Sequence, residues 1–207
     1  MEMPLVDEGM RRELAARYSG GDRHYHGLRH VEALLDLAQE YRALLADPEA
    51  VETAIWFHDA VYDSKAKDNE AQSAALAREK LAGKVEGWRL ERIVAMIEAT
   101  ATHALPDLTD ETAQRDAALF LDMDLSILGA SPEAFETYEQ GVRKEYAWVP
   151  EPAWIAGRGA VLQNFLARPA IFHTQEFRDR FEAQARENMA RSLARLMPDP
   201  PFEGRQT

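Results

Sequence analysis

The chain has 207 residues with 36 acidic against 24 basic side chains, a formal net charge of −12. That length fits one soluble domain with a single sizeable core. The acidic balance disfavours long nucleic acids and anionic membrane surfaces, which call for an excess of Lys and Arg, and leaves small anionic ligands open. The absence of Cys excludes disulfides, zinc–thiolate sites, iron–sulfur clusters and thiol catalysis, so any metal must be held by His, Asp or Glu.

The opening MEMPLVDEGM has neither a basic nor an apolar leader segment, and no apolar run approaches the roughly 20 residues that span a bilayer. A cytoplasmic location is expected. Ala (34) and Leu (21) far outnumber Val and Ile (15 together), which favours helix over strand and predicts an all-α fold. Apolar spacing and helix-breaking residues predict a first helix over residues 8–18, stopped by Gly20 and Gly21, and a second over 26–46. Asp47 as N-cap and Pro48 at the first helical position start a third, expected to run to Tyr62. Asp68 caps a fourth ending near Gly83, and further helices are expected over 86–103, 111–128, 132–148, 152–168 and 175–197. Residues 198–207 are expected to be disordered. No repeat or Gly/Ser linker divides the chain. The expected organisation is one helical domain over 1–197, with a core over about 25–130 and a C-terminal helical addition over about 131–197.

The chemistry-bearing residues are histidines and the carboxylates beside them. On the predicted helices, His58 shares a stripe with Val51, Ile55 and Tyr62, His30 shares one with Leu34, Leu37 and Tyr41 with His26 a turn earlier, and His103 shares one with Ile93, Met96, Ile97 and Thr100. Three helices thus aim imidazoles inward, at a cost of about 1–3 kcal/mol each if unpartnered. In LFLDMDLSILG, Asp124 falls on the apolar stripe and is preferred to Asp122 as the inward carboxylate. His30, His58, Asp59 and Asp124 would form a nitrogen and oxygen donor set suited to a divalent transition metal. Each inward histidine has the alternative reading of a core residue bonded to a carbonyl, and His26 with His30 could bind an ion at i, i+4 by themselves.

A histidine opening a helix (His30), an adjacent His58–Asp59 pair and a distant Asp124 resemble the HD-domain superfamily of metal-dependent phosphohydrolases. The strings YHGLRHVEALL, AIWFHDAVYD, DNEAQSA, FLDMDLSILG and VRKEY look like a bacterial branch of predicted HD hydrolases. The likeness covers about residues 25–186. It implies an HD-type helical bundle with additional C-terminal helices and metal ligands His30, His58, Asp59 and Asp124. It further implies a divalent ion (Mn, Mg, Co, Ni, Fe or Zn) and hydrolysis of a small phosphorylated compound, nucleotides included, by metal-activated water. Asp63 matches an acidic position that follows the pair in several branches and is the candidate to orient or deprotonate that water. Tyr62 stands where some branches carry a Glu, so His103 becomes the candidate proton donor, phosphate contact or second-ion ligand. His26, Lys65, Arg143, Lys144 and Arg158 are the candidate substrate and phosphate contacts. Two alternatives stay open: a catalytically idle HD fold that binds a nucleotide or a regulatory partner, and a di-iron oxygenase.

Overall fold

Asp7, Asp47, Asp110 and Ser131 each accept a hydrogen bond from an amide of the helical turn that follows, and Pro opens the helices after Asp47 and Ser131. The computed structural model describes residues 4–197. These form α1 (Glu8–Arg17), α2 (Leu28–Glu40), α3 (Pro48–Phe57), α4 (Asn69–Leu81), α5 (Gly87–Ala99), α6 (Glu111–Leu125), α7 (Pro132–Glu145), α8 (Glu151–Leu166), α9 (Gln175–Phe177) and α10 (Ala183–Leu196). No strand occurs among the described residues, so the protein is all-α. The tail over 198–207 expected to be disordered lies outside the described residues. No helix among the described residues is long and apolar enough to cross a membrane.

Three helix boundaries differ from expectation in ways that shape the site. The second helix begins at Leu28, after Gly27, and ends at Glu40, followed by a 3-10 turn at Arg42–Leu44. His26 therefore precedes the helix and does not stand one turn before His30. The third helix stops at Phe57, not Tyr62. Its end is capped from outside: Tyr18 donates its hydroxyl to the Trp56 carbonyl at 3.0 Å, and the Arg23 guanidinium donates to the carbonyls of Asp59 (2.7 Å) and Ala60 (3.3 Å). Ser73 bonds both the amide and the carbonyl of Val61. These partners satisfy the backbone groups that a continuing helix would have used. The fifth helix stops at Ala99, and His103 turns back in a left-handed conformation with φ 52°.

The sixth helix is the axis of the fold. Leu119, Phe120, Leu121 and Met123 are fully buried, and α2, α3 and α5 all pack on it. A 3-10 turn at Ser126–Gly129 ends it. The expected last helix is in fact α9 and α10 joined by a π turn at Arg178–Glu182. The π turn presses on Gly129 so closely that a Cβ there would lie 2.5 Å from the Phe181 carbonyl oxygen and 2.6 Å from its Cβ. Both ends of this segment are tied to α6 or the turn after it. Asp122 accepts from the amides of His173 and Thr174 and the Thr174 hydroxyl, each at 2.7 Å. Asn188 donates to the carbonyls of Leu128 and Ala130, both at 2.9 Å. The C-terminal helices thus pack directly on the core and supply one wall of the site.

Candidate metal centre

Three elements converge on one point. His30 lies in the first turn of α2, His58 is the C-cap of α3 and Asp124 lies in the last turn of α6. Both histidines are buried, at 6% and 1% exposure. His58 Nδ1 donates to the Ile55 carbonyl at 2.8 Å, which leaves the Nε2 lone pair of the neutral ring pointing inward. It faces His30 Nε2 at 3.1 Å. Asp124 Oδ1 lies 3.1 Å from His30 Nε2 and 3.7 Å from His58 Nε2, while Asp59 Oδ2 lies 3.2 and 3.8 Å from His58 and His30 Nε2.

These spacings match the edges of a coordination shell. Donors about 2.1 Å from a common ion stand about 3.0 Å apart at right angles and about 3.4 Å apart at the tetrahedral angle. Donor atoms of His30, His58 and Asp124 all lie within 4.8 Å of one another, and the three residues could hold a metal ion. The donor set, two imidazoles with carboxylates, suits a divalent transition metal.

Electrostatics in the ion-free protein follow the same crowding. Burial pushes the His58 imidazole down, but the charge and hydrogen bond of Asp59 and the charge of Asp124 outweigh it and raise it to about 9. Burial pushes the carboxyls of Asp59 and Asp124 up, and the surrounding histidines more than reverse this, holding both far below the usual range. A pair of buried carboxylates kept ionised is what a cation site requires.

A second layer orients this cluster. His103 Nε2 bonds Asp124 Oδ2 at 2.8 Å, so this histidine, expected as a proton donor or second-ion ligand, is the hydrogen-bond partner of Asp124. Its left-handed backbone, which costs on the order of 1–3 kcal/mol in a residue with a Cβ, is held from both sides. The His103 amide donates to the Ala99 carbonyl at 2.8 Å, and His173 Nε2 donates to the His103 carbonyl at 2.9 Å. The His173 amide is in turn bound to Asp122. Asp122 is the more deeply buried of the two aspartates, yet it serves the backbone of residues 173 and 174, and Asp124 is the one that reaches the histidines.

Glu145 organises the segment before α2. Its side chain is fully buried; Oε1 accepts the amides of His24, Tyr25 and His26 at 2.7, 2.7 and 3.0 Å. Oε2 accepts His26 Nδ1 at 2.6 Å and the Tyr62 hydroxyl at 2.8 Å. Burial works against its charge, but the His26 bond and charge, with the amides and hydroxyl, lower its carboxyl to about 2. His26 stacks on Tyr62 with ring centroids 4.5 Å apart and opens on a cavity of about 360 Å³ shared with His103, Asp124 and Arg158. Burial lowers His26, but the bond to Glu145 and nearby carboxylates raise it overall.

The other sequence-derived candidates fall elsewhere. Because α3 ends at Phe57, Asp63 is not one helical turn beyond Asp59. It is exposed, accepts the Lys65 amide at 2.9 Å in a turn, and lines a separate cleft with Lys65 and Lys144. The proposed water-orienting role for Asp63 is corrected accordingly. The Lys65 ammonium rests 5.9 Å from the Trp148 ring centroid, and Arg143 pairs with Glu151 at 2.8 Å. Among the expected phosphate contacts, His26 and Arg158 reach the cavity beside Asp124, and Arg158 is ion-paired with Glu139 and bonded to the Tyr138 hydroxyl. Glu145 and Arg23 escaped the sequence reading. The string VRKEY contains Glu145, but nothing in its spacing signals that it binds three amides 119–121 residues upstream.

No protein-family model, curated protein or solved structure matches the chain.

Proposed function

We propose that this protein is a metal-dependent hydrolase of phosphate esters or anhydrides in small molecules, a class that includes nucleotides, with His30, His58, Asp59 and Asp124 as the ligands. The observation that carries the reading is the pair of Nε2 atoms 3.1 Å apart with a carboxylate oxygen beside each. The resemblance of His30, His58–Asp59 and Asp124 to the HD-domain pattern supports the reaction class. A divalent ion bound here supplies a nucleophilic water of lowered pKa and neutralises a phosphoryl oxygen. The chain's own residues do the rest. His103 holds Asp124 through its outer oxygen, fixing the carboxylate's direction. Glu145 commits His26 Nδ1 and leaves the other ring nitrogen of this cavity-lining residue as proton donor to the departing oxygen. Tyr25, packed 4.9 Å from both the His26 and His30 rings, keeps the two imidazoles apart.

The test is a phosphatase and pyrophosphatase screen on chelator-stripped protein. Activity is expected to vanish on stripping and to return with one or more of Mn, Mg, Co, Ni, Fe and Zn. Full activity in His58→Ala or Asp59→Ala overturns the proposal.

A further inference from the structure

We infer that Arg168 is the recognition group for a second anionic substituent, so the substrate class is a small phosphate ester carrying another negative charge; this rests on the hydrolase reading above. The cavity of about 360 Å³ beside Asp124 has two guanidinium groups in its wall, those of Arg158 and Arg168. Their electrostatic situations differ. Arg158 is balanced by Glu139 and by the Tyr138 hydroxyl. Arg168 donates one hydrogen bond, to the Thr102 carbonyl at 3.0 Å, and lies 4.4 Å from the centroid of the Phe165 ring. Among the described residues no carboxylate forms an ion pair with it. Four of its five N–H donors are left for a ligand.

Its placement is fixed and continuous with the metal centre. The Arg168 carbonyl is bound by Arg186 at 2.9 Å, and its amide donates to the Phe165 carbonyl at 3.1 Å. Phe165 packs on His103 with ring centroids 6.2 Å apart, and His103 bonds the metal-ligating candidate Asp124. Guanidinium, phenyl ring, imidazole and carboxylate thus form one cavity wall. A ligand whose phosphoryl group sits at Asp124 runs its body along Phe165 and meets an uncompensated cation at Arg168. A guanidinium stacked on a ring is pre-oriented, so binding a carboxylate or phosphate in its plane costs little further ordering. The cavity volume lies at the small end for ligand sites, which favours a compact doubly anionic ester over a long one.

The experiment compares phenyl phosphate with 4-carboxyphenyl phosphate on the full chain supplied with Mn. The expected kcat/KM ratio favours the carboxylated ester by about tenfold or more, the scale of one charge-assisted hydrogen-bonded pair. In Arg168→Gln this ratio is expected to fall to near one, and in Arg168→Glu below one. Calorimetric binding of 4-carboxyphenyl phosphate is measured on the same proteins whether or not they turn it over, with thermal melts confirming folding. A roughly tenfold weaker affinity in folded Arg168→Gln supports the inference even if neither ester is hydrolysed, an outcome that would sink only the hydrolase reading. Equal affinity in wild type and Arg168→Gln, or an undiminished preference in that variant, overturns it.

Discussion

His30 and His58 approach one another through their Nε2 atoms, at 3.1 Å, from helices that begin and end at the same point. A hydrogen bond between two imidazoles needs one proton between two lone pairs, and an ion in that position replaces the proton with a stronger partner. Adding Mn or Zn at a hundredfold excess over Kd is expected to raise the unfolding free energy by about 2.7 kcal/mol. The rise is read as a shift in thermal midpoint. His58→Ala should abolish the shift, and a shift of wild-type size in that variant would refute the centre.

Asp122 and Asp124 are expected to fail in opposite ways. Asp122→Asn turns an amide NH2 toward donors already fixed on residues 173 and 174. It should lower stability by about 2–3 kcal/mol in urea titration while keeping the metal-induced shift. Asp124→Asn should lose the metal-induced shift. If both variants lose it equally, the division of labour between them is wrong.

Glu145 makes stability depend on acid. Its carboxyl is lowered to about 2 from an ordinary value of 4.5, so the folded state favours the ionised form. The stabilisation is complete above about pH 4.5 and is lost as pH falls toward 2, amounting to on the order of 3 kcal/mol. Urea midpoints over this range should drop more steeply in wild type than in Glu145→Gln. The variant should also be less stable at pH 7, since its amide NH2 would meet N–H and O–H donors.

Gly129→Ala should cost about 1–3 kcal/mol, because the new methyl would have to displace the Phe181 backbone rather than a flexible side chain. Gly157→Ala on α8, where a Cβ meets nothing within 4 Å, should be neutral or stabilising. Equal melting temperatures for the two variants would count against the packing described for the π turn.

The helices themselves were legible from composition, spacing and caps such as Asp47–Pro48 and Ser131–Pro132, which act locally. Periodicity also favoured Asp124 over Asp122 as the carboxylate facing the histidines, because the apolar stripe of α6 records which side meets α2 and α3. Where the reading failed, distant residues decided the local structure. The end of α3 depends on Tyr18 and Arg23, and the position of His26 depends on Glu145, none of which leaves a periodic trace. The left-handed turn at His103 was read as a continued helix because its stabilising partner, His173, is 70 residues away. Asp63 looked like a site residue only on a helix that those capping contacts terminate.

The π turn at Arg178–Glu182 also has a meaning in counting residues. Thr174 is tied to Asp122 and Asn188 to the carbonyls of Leu128 and Ala130, so the chain between them must span a set distance with a set rotation. The wider turn takes up one residue more than an α-helix would need there. Deleting a single residue from it would turn the remainder of α10 by about 100°, carrying Asn188 and Ser192 off their partners. Substitutions along this stretch are separate events, whereas a change in its length is felt at every position that follows.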